Sequence, residues 1–408
     1  MKILFLFTDM VRPNLLSTYN SKLSNPAPLD SVIDTLRGTL YENCYTPAPD
    51  TPRSLACLHS GQYPSKNGCD TRIKWPFYFL QSETCMLESL ADEGFKLFYY
   101  ATESKVQVGP LPPKSKEVCS ISNSISQFEN SLKWDIEEDN DSAYFLTLDD
   151  YHWGNDDFGH NSMGDYQGQK HLEKYLTSFF EKFDANDFDY IFWFSDHGHK
   201  MANEIRNPNR NMLLNSDRSQ IHMLLRSKND TLLTRDTRLR SIMDVYPTVR
   251  QIIGIASNAN IDGKSLFEEH GHDYIVIEDH DDFSVSMSQV IDKWAVRTER
   301  SFYFESLDSC ELYSTNSGAL AKAIPLNSKK QYFSNLISKE SKSYDISMKQ
   351  HEILKFYTHL KGTNSDINFT DGNFRKLKDK GVLVKVLIKF IVLFDYLKAH
   401  LNRARINE

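Results

Sequence analysis

With 408 residues, 40% of them hydrophobic and 25% charged, the chain can bury a large core and is too long for one minimal domain. Its net charge of -8 gives no global electrostatic reason to bind nucleic acid, whose partners present a basic face. The six cysteines (Cys44, Cys57, Cys69, Cys85, Cys119, Cys310) are scattered, form no C-x-x-C pair and sit in a chain that needs no disulfide staples, so a reducing cytoplasm is the expected location.

The first predicted element is a strand over residues 3–7 (ILFLF). This apolar run stops at Thr8 and Asp9, too short for a signal peptide and without a small-residue cleavage site, so secretion by that route is not expected. Next comes PAPDTPRSLACLHSGQYPSKNG, residues 47–68, where Thr51 followed by Pro52 reads as a helix N-cap with proline at the first helical position. A hydroxyl there lies in positive potential, where an anionic ester binds and an alkoxide is stabilised; a plain cap is the competing reading. Further strand-length runs occupy residues 96–100, 144–148, 190–194 and 222–225. Between them lie amphipathic stretches such as residues 167–183, with Leu172, Tyr175, Leu176 and Phe179 at 3- and 4-residue spacing. Such alternation predicts an α/β fold, a large and mainly parallel central sheet sandwiched by helices, with chemistry at the carboxyl ends of strands.

The polar residues stand at those ends: Asp9 after the first run, Asp149 and Asp150 after the third, Asp196 and His197 after the fourth. In FWFSDHGH, residues 192–199, a carboxylate and an imidazole side by side suit a divalent cation with mixed O and N ligands, such as zinc or manganese. In DDFGH, Asp156 precedes His160 by four residues, a spacing that lets both converge on one ion if the segment makes a helical turn. His152 nearby reads equally as a ligand or a loop residue.

Residues 275–313 alternate in a β-rich manner and predict a smaller C-terminal subdomain, giving expected boundaries of 1–270, 271–325, a polar linker over 326–380 and a helical tail over 381–408. Within the tail, residues 382–397 form an apolar run broken by Lys385, Lys389 and Asp395 and flanked by basic residues. That pattern resembles an interfacial membrane helix, too short and too charged to span, and permits peripheral contact at the inner face of the membrane; a helix buried against the body or in a dimer is the competing reading.

Taken in order, Asp9 after the first strand, the Thr51 segment with its S-G-x-Y-P-x-x-x-G tail, SDHG after a later strand, Asp262-Gly263-Lys264-Ser265-Leu266, and WAVRTERSFYFESLDSCELY resemble the sulfatase and phosphodiesterase branches of the alkaline-phosphatase superfamily. The resemblance spans roughly residues 1–320. In sulfatases a modified cysteine lies ten residues before the glycine of the L-T-G tail, and in nucleotide pyrophosphatase/phosphodiesterases a threonine holds that place. Here the gapless count from Gly61 reaches Thr51, whereas a one-residue shift that aligns Pro52 with the family proline reaches Asp50. Neither is a cysteine, which sets this chain apart from ordinary sulfatase chemistry.

The resemblance implies a first metal site of Asp9, Thr51, Asp196 and His197, with Met10 where sulfatases often carry a second acid. It implies a second site of Asp156 and His160, completed by His222 or, failing that, His199. Two divalent ions are therefore expected, zinc or manganese first, calcium or magnesium as alternatives. Arg53 and Lys74 are candidates to clamp nonbridging ester oxygens. The expected function is a metal-dependent sulfatase-like hydrolase or transferase acting on phosphoric mono- or diesters through Thr51. Competing readings are a sulfuric ester hydrolase, a phospho-group transferase to a saccharide or lipid-linked acceptor, and an inactive anion-binding protein. The expected partner is a small-molecule, saccharide or lipid-linked phosphate or sulfate ester.

Overall fold

The structure is a computed structural model, described for residues 1–69, 85–102, 104–138, 140–159, 161–199, 214–256, 260–279, 293–306, 310–316, 319–323, 326 and 329–340. By compactness the chain divides into one unit of Met1–Asp279 with Lys293–Lys342 and another of His280–Asp292 with Ser343–Glu408. The second unit, and with it the expected membrane-active helix at 382–397, lies outside the described residues.

The first unit is built on an eight-stranded sheet. Strands are numbered along the chain: β1 Lys2–Thr8, β2 Gly38–Tyr45, β3 Lys96–Tyr100, β4 Cys119–Ser122, β5 Ser142–Leu148, β6 Tyr190–Phe194, β7 Met223–Ser227 and β8 Leu233–Ser241, in the order β4-β3-β5-β1-β6-β7-β2-β8. The sheet is mostly parallel; β7 alone runs against both of its neighbours. Its core is two-sided because side chains alternate across a strand. Ile3, Phe5 and Phe7 of β1 enter one apolar cluster with Leu55 and Leu58, while Leu4 and Leu6 enter another with Leu172, Leu176 and Phe179 of the helix Ser162–Lys182. Phe5 stacks between Phe145 and Phe192 at 5.3 and 5.2 Å, so removing its ring would cost about 3–5 kcal/mol. The architecture is the expected α/β sandwich.

A second, antiparallel sheet has the order β13-β12-β11-β10-β9, with β9 Ile275–Asp279, β10 Lys293–Arg297, β11 Ser301–Ser306, β12 Cys310–Asn316 and β13 Ala319–Ala323. Ile275, Ile277, Ala295, Phe302 and Phe304 bury one face against Tyr45 and Leu239 at the ends of β2 and β8. The amide of Glu278 donates to Pro47 O at 2.8 Å, which brings the end of β9 beside the segment leading to Thr51. Part of the stretch expected as polar linker is ordered: Lys329–Glu340 forms a helix that buries Phe333 and Ile337, and Glu340 pairs with Lys66 at 3.1 Å. The six cysteines form no disulfide. Among the described residues no helix is long and apolar enough to cross a membrane.

Candidate active site

Strand register brings the site together. Thr8 of β1 lies opposite Leu148 of β5, and Phe7 lies opposite Phe194 of β6, so Asp9, Asp149 and Asp196 follow at the same carboxyl edge of three adjacent parallel strands. Three acids on neighbouring strand ends repel one another, and burial deepens the repulsion. The Asp9 carboxyl is accordingly held well above its ordinary range, first by burial and then by the charges of Asp196 and Asp149.

Backbone groups aim the ligand atoms. Met10 adopts φ 63, a region a side-chain-bearing residue seldom enters, and its amide donates to Asp196 Oδ1 at 3.2 Å. The amide of His197 donates to the same oxygen at 2.8 Å. His197 Nδ1 lies 2.6 Å from Gly198 O, a geometry that assigns the ring proton to Nδ1 and leaves the lone pair on Nε2. Nε2 then faces Asp196 Oδ2 at 3.2 Å and Asp9 Oδ1 at 3.9 Å. Gly198 is required where it stands, since a Cβ there would come within 1.9 Å of Asp217 O.

These three residues make the cation site. One ligand atom from each of Asp9, Asp196 and His197 lies within 4.8 Å of the others, and all three residues are buried. Asp9 Oδ1 and Asp196 Oδ2 are buried without a hydrogen-bond partner, an arrangement of two carboxylate oxygens and one imidazole lone pair that fits a divalent cation. Among the described residues this is the one such grouping.

The helix Thr51–Ser60 delivers a hydroxyl to the same place. Its N-cap is Asp50, not Thr51, because the Asp50 carboxylate accepts the amide of Arg53 at 3.2 Å while its own backbone is extended. Thr51 therefore opens the helix with Pro52 behind it, and its Oγ1 lies 3.4 Å from His197 Nε2. Ser54 Oγ donates to Asp196 O at 2.8 Å and ties the helix to the strand end that carries the ligands. At the far end Gly61 caps the helix at φ 66, and a Cβ there would lie 2.7 Å from Ile261 Cγ2, which accounts for the glycine of the S-G-x-Y-P tail.

Other expected site residues fall elsewhere. Arg53, expected to clamp the ester, is fully buried and donates from Nε to Asp50 Oδ2 at 2.6 Å, while Nη2 pairs with Asp50 and reaches Asp279 at 3.4 Å, so two of its three nitrogens are on carboxylates of the chain itself. His222 is not in the ligand group: one residue ahead of β7, it turns to the face of Leu224 and Trp193, where Nδ1 meets the Tyr19 hydroxyl at 3.0 Å and the ring lies 4.4 Å from that of Trp193. Burial pushes its pKa down to about 3. The half-buried His199 also stands outside the group.

Asp156 lies on the helix Asp150–Phe158 and meets His152 Nδ1 one turn back at 3.2 Å. That helix ends at Phe158, with Gly159 at φ 88. His160 and Lys74 lie outside the described residues. Asp149, which the sequence places after the third apolar run without a ligand role, is held by Thr102 and by Gln107 Nε2 at 2.8 Å.

This is the fold of the sulfatase branch of the alkaline-phosphatase superfamily. The chain is similar in structure to a 2-O GAG sulfatase at 14% identity, covering 89% of this chain and 92% of that one with a TM-score of 0.58. It is similar to an alkaline-phosphatase superfamily protein from Vibrio parahaemolyticus at 12% identity, 88% and 87% coverage and TM-score 0.59. A phosphonate monoester hydrolase from Silicibacter pomeroyi aligns at 10% identity, 83% and 94% coverage and TM-score 0.58. No model of a known protein family matches the chain, and no curated protein matches it in sequence.

Proposed function

We propose that the chain is a metal-dependent hydrolase of phosphoric esters, mono- or diesters, with Thr51 as nucleophile and Asp9, Asp196 and His197 as ligands of a divalent cation. The observation that carries this reading is the 3.4 Å approach of Thr51 Oγ1 to His197 Nε2, at a helix start beside two buried, unpartnered carboxylate oxygens. A cation held there would supply Lewis acidity, lowering the pKa of a hydroxyl as it does that of water. Thr51 would attack phosphorus in line and release the alcohol, leaving a phospho-threonine that water then opens, the phosphate departing and the hydroxyl returning. Asp50 does not compete for the role, because Arg53 holds both of its oxygens.

Asp156 is the proposed anchor of a second cation with His160. Its charge is among those that raise the Asp9 carboxyl, which puts it in electrostatic reach of the first site. His152 stands on the same helix face, and its bond to Asp156 raises its pKa against the opposing effect of burial.

Similarity to a 2-O GAG sulfatase supports sulfate-ester hydrolysis as the second reading, while similarity to a phosphonate monoester hydrolase supports a phosphorus ester. Phosphate is favoured because a plain threonine sulfate lacks the elimination route open to a hydrated aldehyde. The deciding experiment is a panel of nitrophenyl phosphate, phosphodiester, phosphonate and sulfate with zinc, manganese or calcium. Faster turnover of the sulfate than of every phosphoester would move the reading to sulfate, and activity indifferent to chelator would remove the metal from it.

A further inference from the structure

Two arginines from distant parts of the chain meet on one carboxylate. Asp279, the last residue of β9, accepts from Arg218 Nη1 at 2.6 Å with Oδ2 and lies 3.4 Å from Arg53 Nη2 with Oδ1. Arg53 passes the link on to Asp50, whose other oxygen takes the Arg53 amide. A row of alternating charge thus runs Arg218, Asp279, Arg53, Asp50, with side-chain exposures of 11%, 1%, 0% and 6%.

Both ends of the row abut the site. Asp50 caps the helix that begins with Thr51, and the carbonyl of Arg218 accepts the amide of Gly198 at 2.8 Å, next to His197. Breaking one link in a buried ionic row leaves an uncompensated charge, so the row resists displacement. A hydroxyl and a ligand shell that must stay in register to within about 1 Å need such a brace, since misplacement on that scale can cost about 10²-fold in rate. A plain tether of the second sheet already exists in the Glu278 to Pro47 hydrogen bond, and it does not require charge.

We infer that Asp279 is a positioning residue for the candidate site: it holds Arg53 and Arg218 and thereby fixes both the helix start that presents Thr51 and the turn that presents His197. This rests on Thr51 as the nucleophile. Neither the motif pattern nor the metal group points to Asp279 or Arg218.

The test uses the full chain as wild type, Asp279→Asn, Asp279→Glu and Arg218→Gln, with amide hydrogen exchange and turnover of bis(p-nitrophenyl) phosphate under manganese. In Asp279→Asn the Arg53 amide, whose acceptor is the Asp50 carboxylate, exchanges at least about 10-fold faster while the β1 amides keep their protection. The kcat falls about 10²-fold with KM within about 3-fold, and Asp279→Glu recovers part of it. Wild-type exchange at Arg53, or equal acceleration at Arg53 and throughout β1, overturns the inference. If Asp279→Asn does not fold, Arg218→Gln decides by the same readouts, and exchange decides alone where the probe ester is not turned over. Wild-type turnover by Thr51→Ala would instead remove the nucleophile assignment, leaving the exchange result at Arg53 to judge Asp279 by itself.

Discussion

Thr51 Oγ1 and Asp196 Oδ2 both face the same atom, His197 Nε2, at 3.4 and 3.2 Å. One nitrogen thus connects the proposed nucleophile with the proposed ligand set, and the substitutions below separate the two roles.

Thr51→Ala is expected to lower turnover of the best phosphoester by about 10³-fold or more, the scale set by removing a nucleophile that acts with its neighbours, while metal content stays near wild type. Thr51→Ser retains part of the rate. Steady-state kinetics beside elemental analysis checks this, and near-wild-type turnover by Thr51→Ala rejects the assignment.

Asp50→Ala acts through stability. It removes the helix cap and leaves the fully buried Arg53 short of a partner, for a loss of about 3–5 kcal/mol measured by denaturant unfolding. A variant as stable as wild type with its activity abolished would point to Asp50 as the nucleophile instead.

Metal titration counts the sites. Asp9→Asn and Asp196→Asn should abolish manganese binding at the first site in calorimetry, lowering the count by one ion, since each removes one of two buried carboxylates from the ligand group. Wild type should take up two ions, Asp156→Asn one and His222→Gln two. A single ion in wild type would assign Asp156 to His152 alone.

The Asp9 carboxyl gives metal binding a pH signature. Its folded pKa is raised, so the metal-free folded protein binds that proton more tightly than the unfolded chain, and stability from this group is lost as pH rises through the raised value. A cation relieves the repulsion only when the proton has left. Thermal unfolding with and without manganese should therefore show a larger metal-induced rise at pH 8 than at pH 5, and an equal rise at both would reject Asp9 as a ligand.

His59 supplies a test away from the site. Both of its ring nitrogens are buried without partners, its ring lies 5.2 Å from that of Phe145, and burial pushes its pKa down to about 3. A lowered folded value means that stability is present above the unfolded pKa and is lost as pH falls below it. At pH 5 the loss from this group is about 2 kcal/mol, and His59→Leu should remove that share of the acid sensitivity in pH-dependent unfolding.

Much of the fold was legible because the sheet is buried on both faces, so strands β1, β3, β5 and β6 read as mainly apolar runs, ILFLF and YIFWF among them. Strand β8, LTRDTRLRS, was illegible for the opposite reason: it lies at the edge of the sheet and keeps much of its length in solvent. By itself the sequence determined that Asp9, Asp196 and His197 stand at strand ends, because local patterning says where a strand stops. Which of those ends lie side by side depends on the parallel register of β5, β1 and β6, a long-range property that no local pattern carries. The same limit governs His222 and Arg53. Residue type suits each to a ligand or a clamp, but the face to which His222 turns, and the meeting of Arg53 with Asp279 from a second sheet 226 residues further on, were decided by tertiary packing alone.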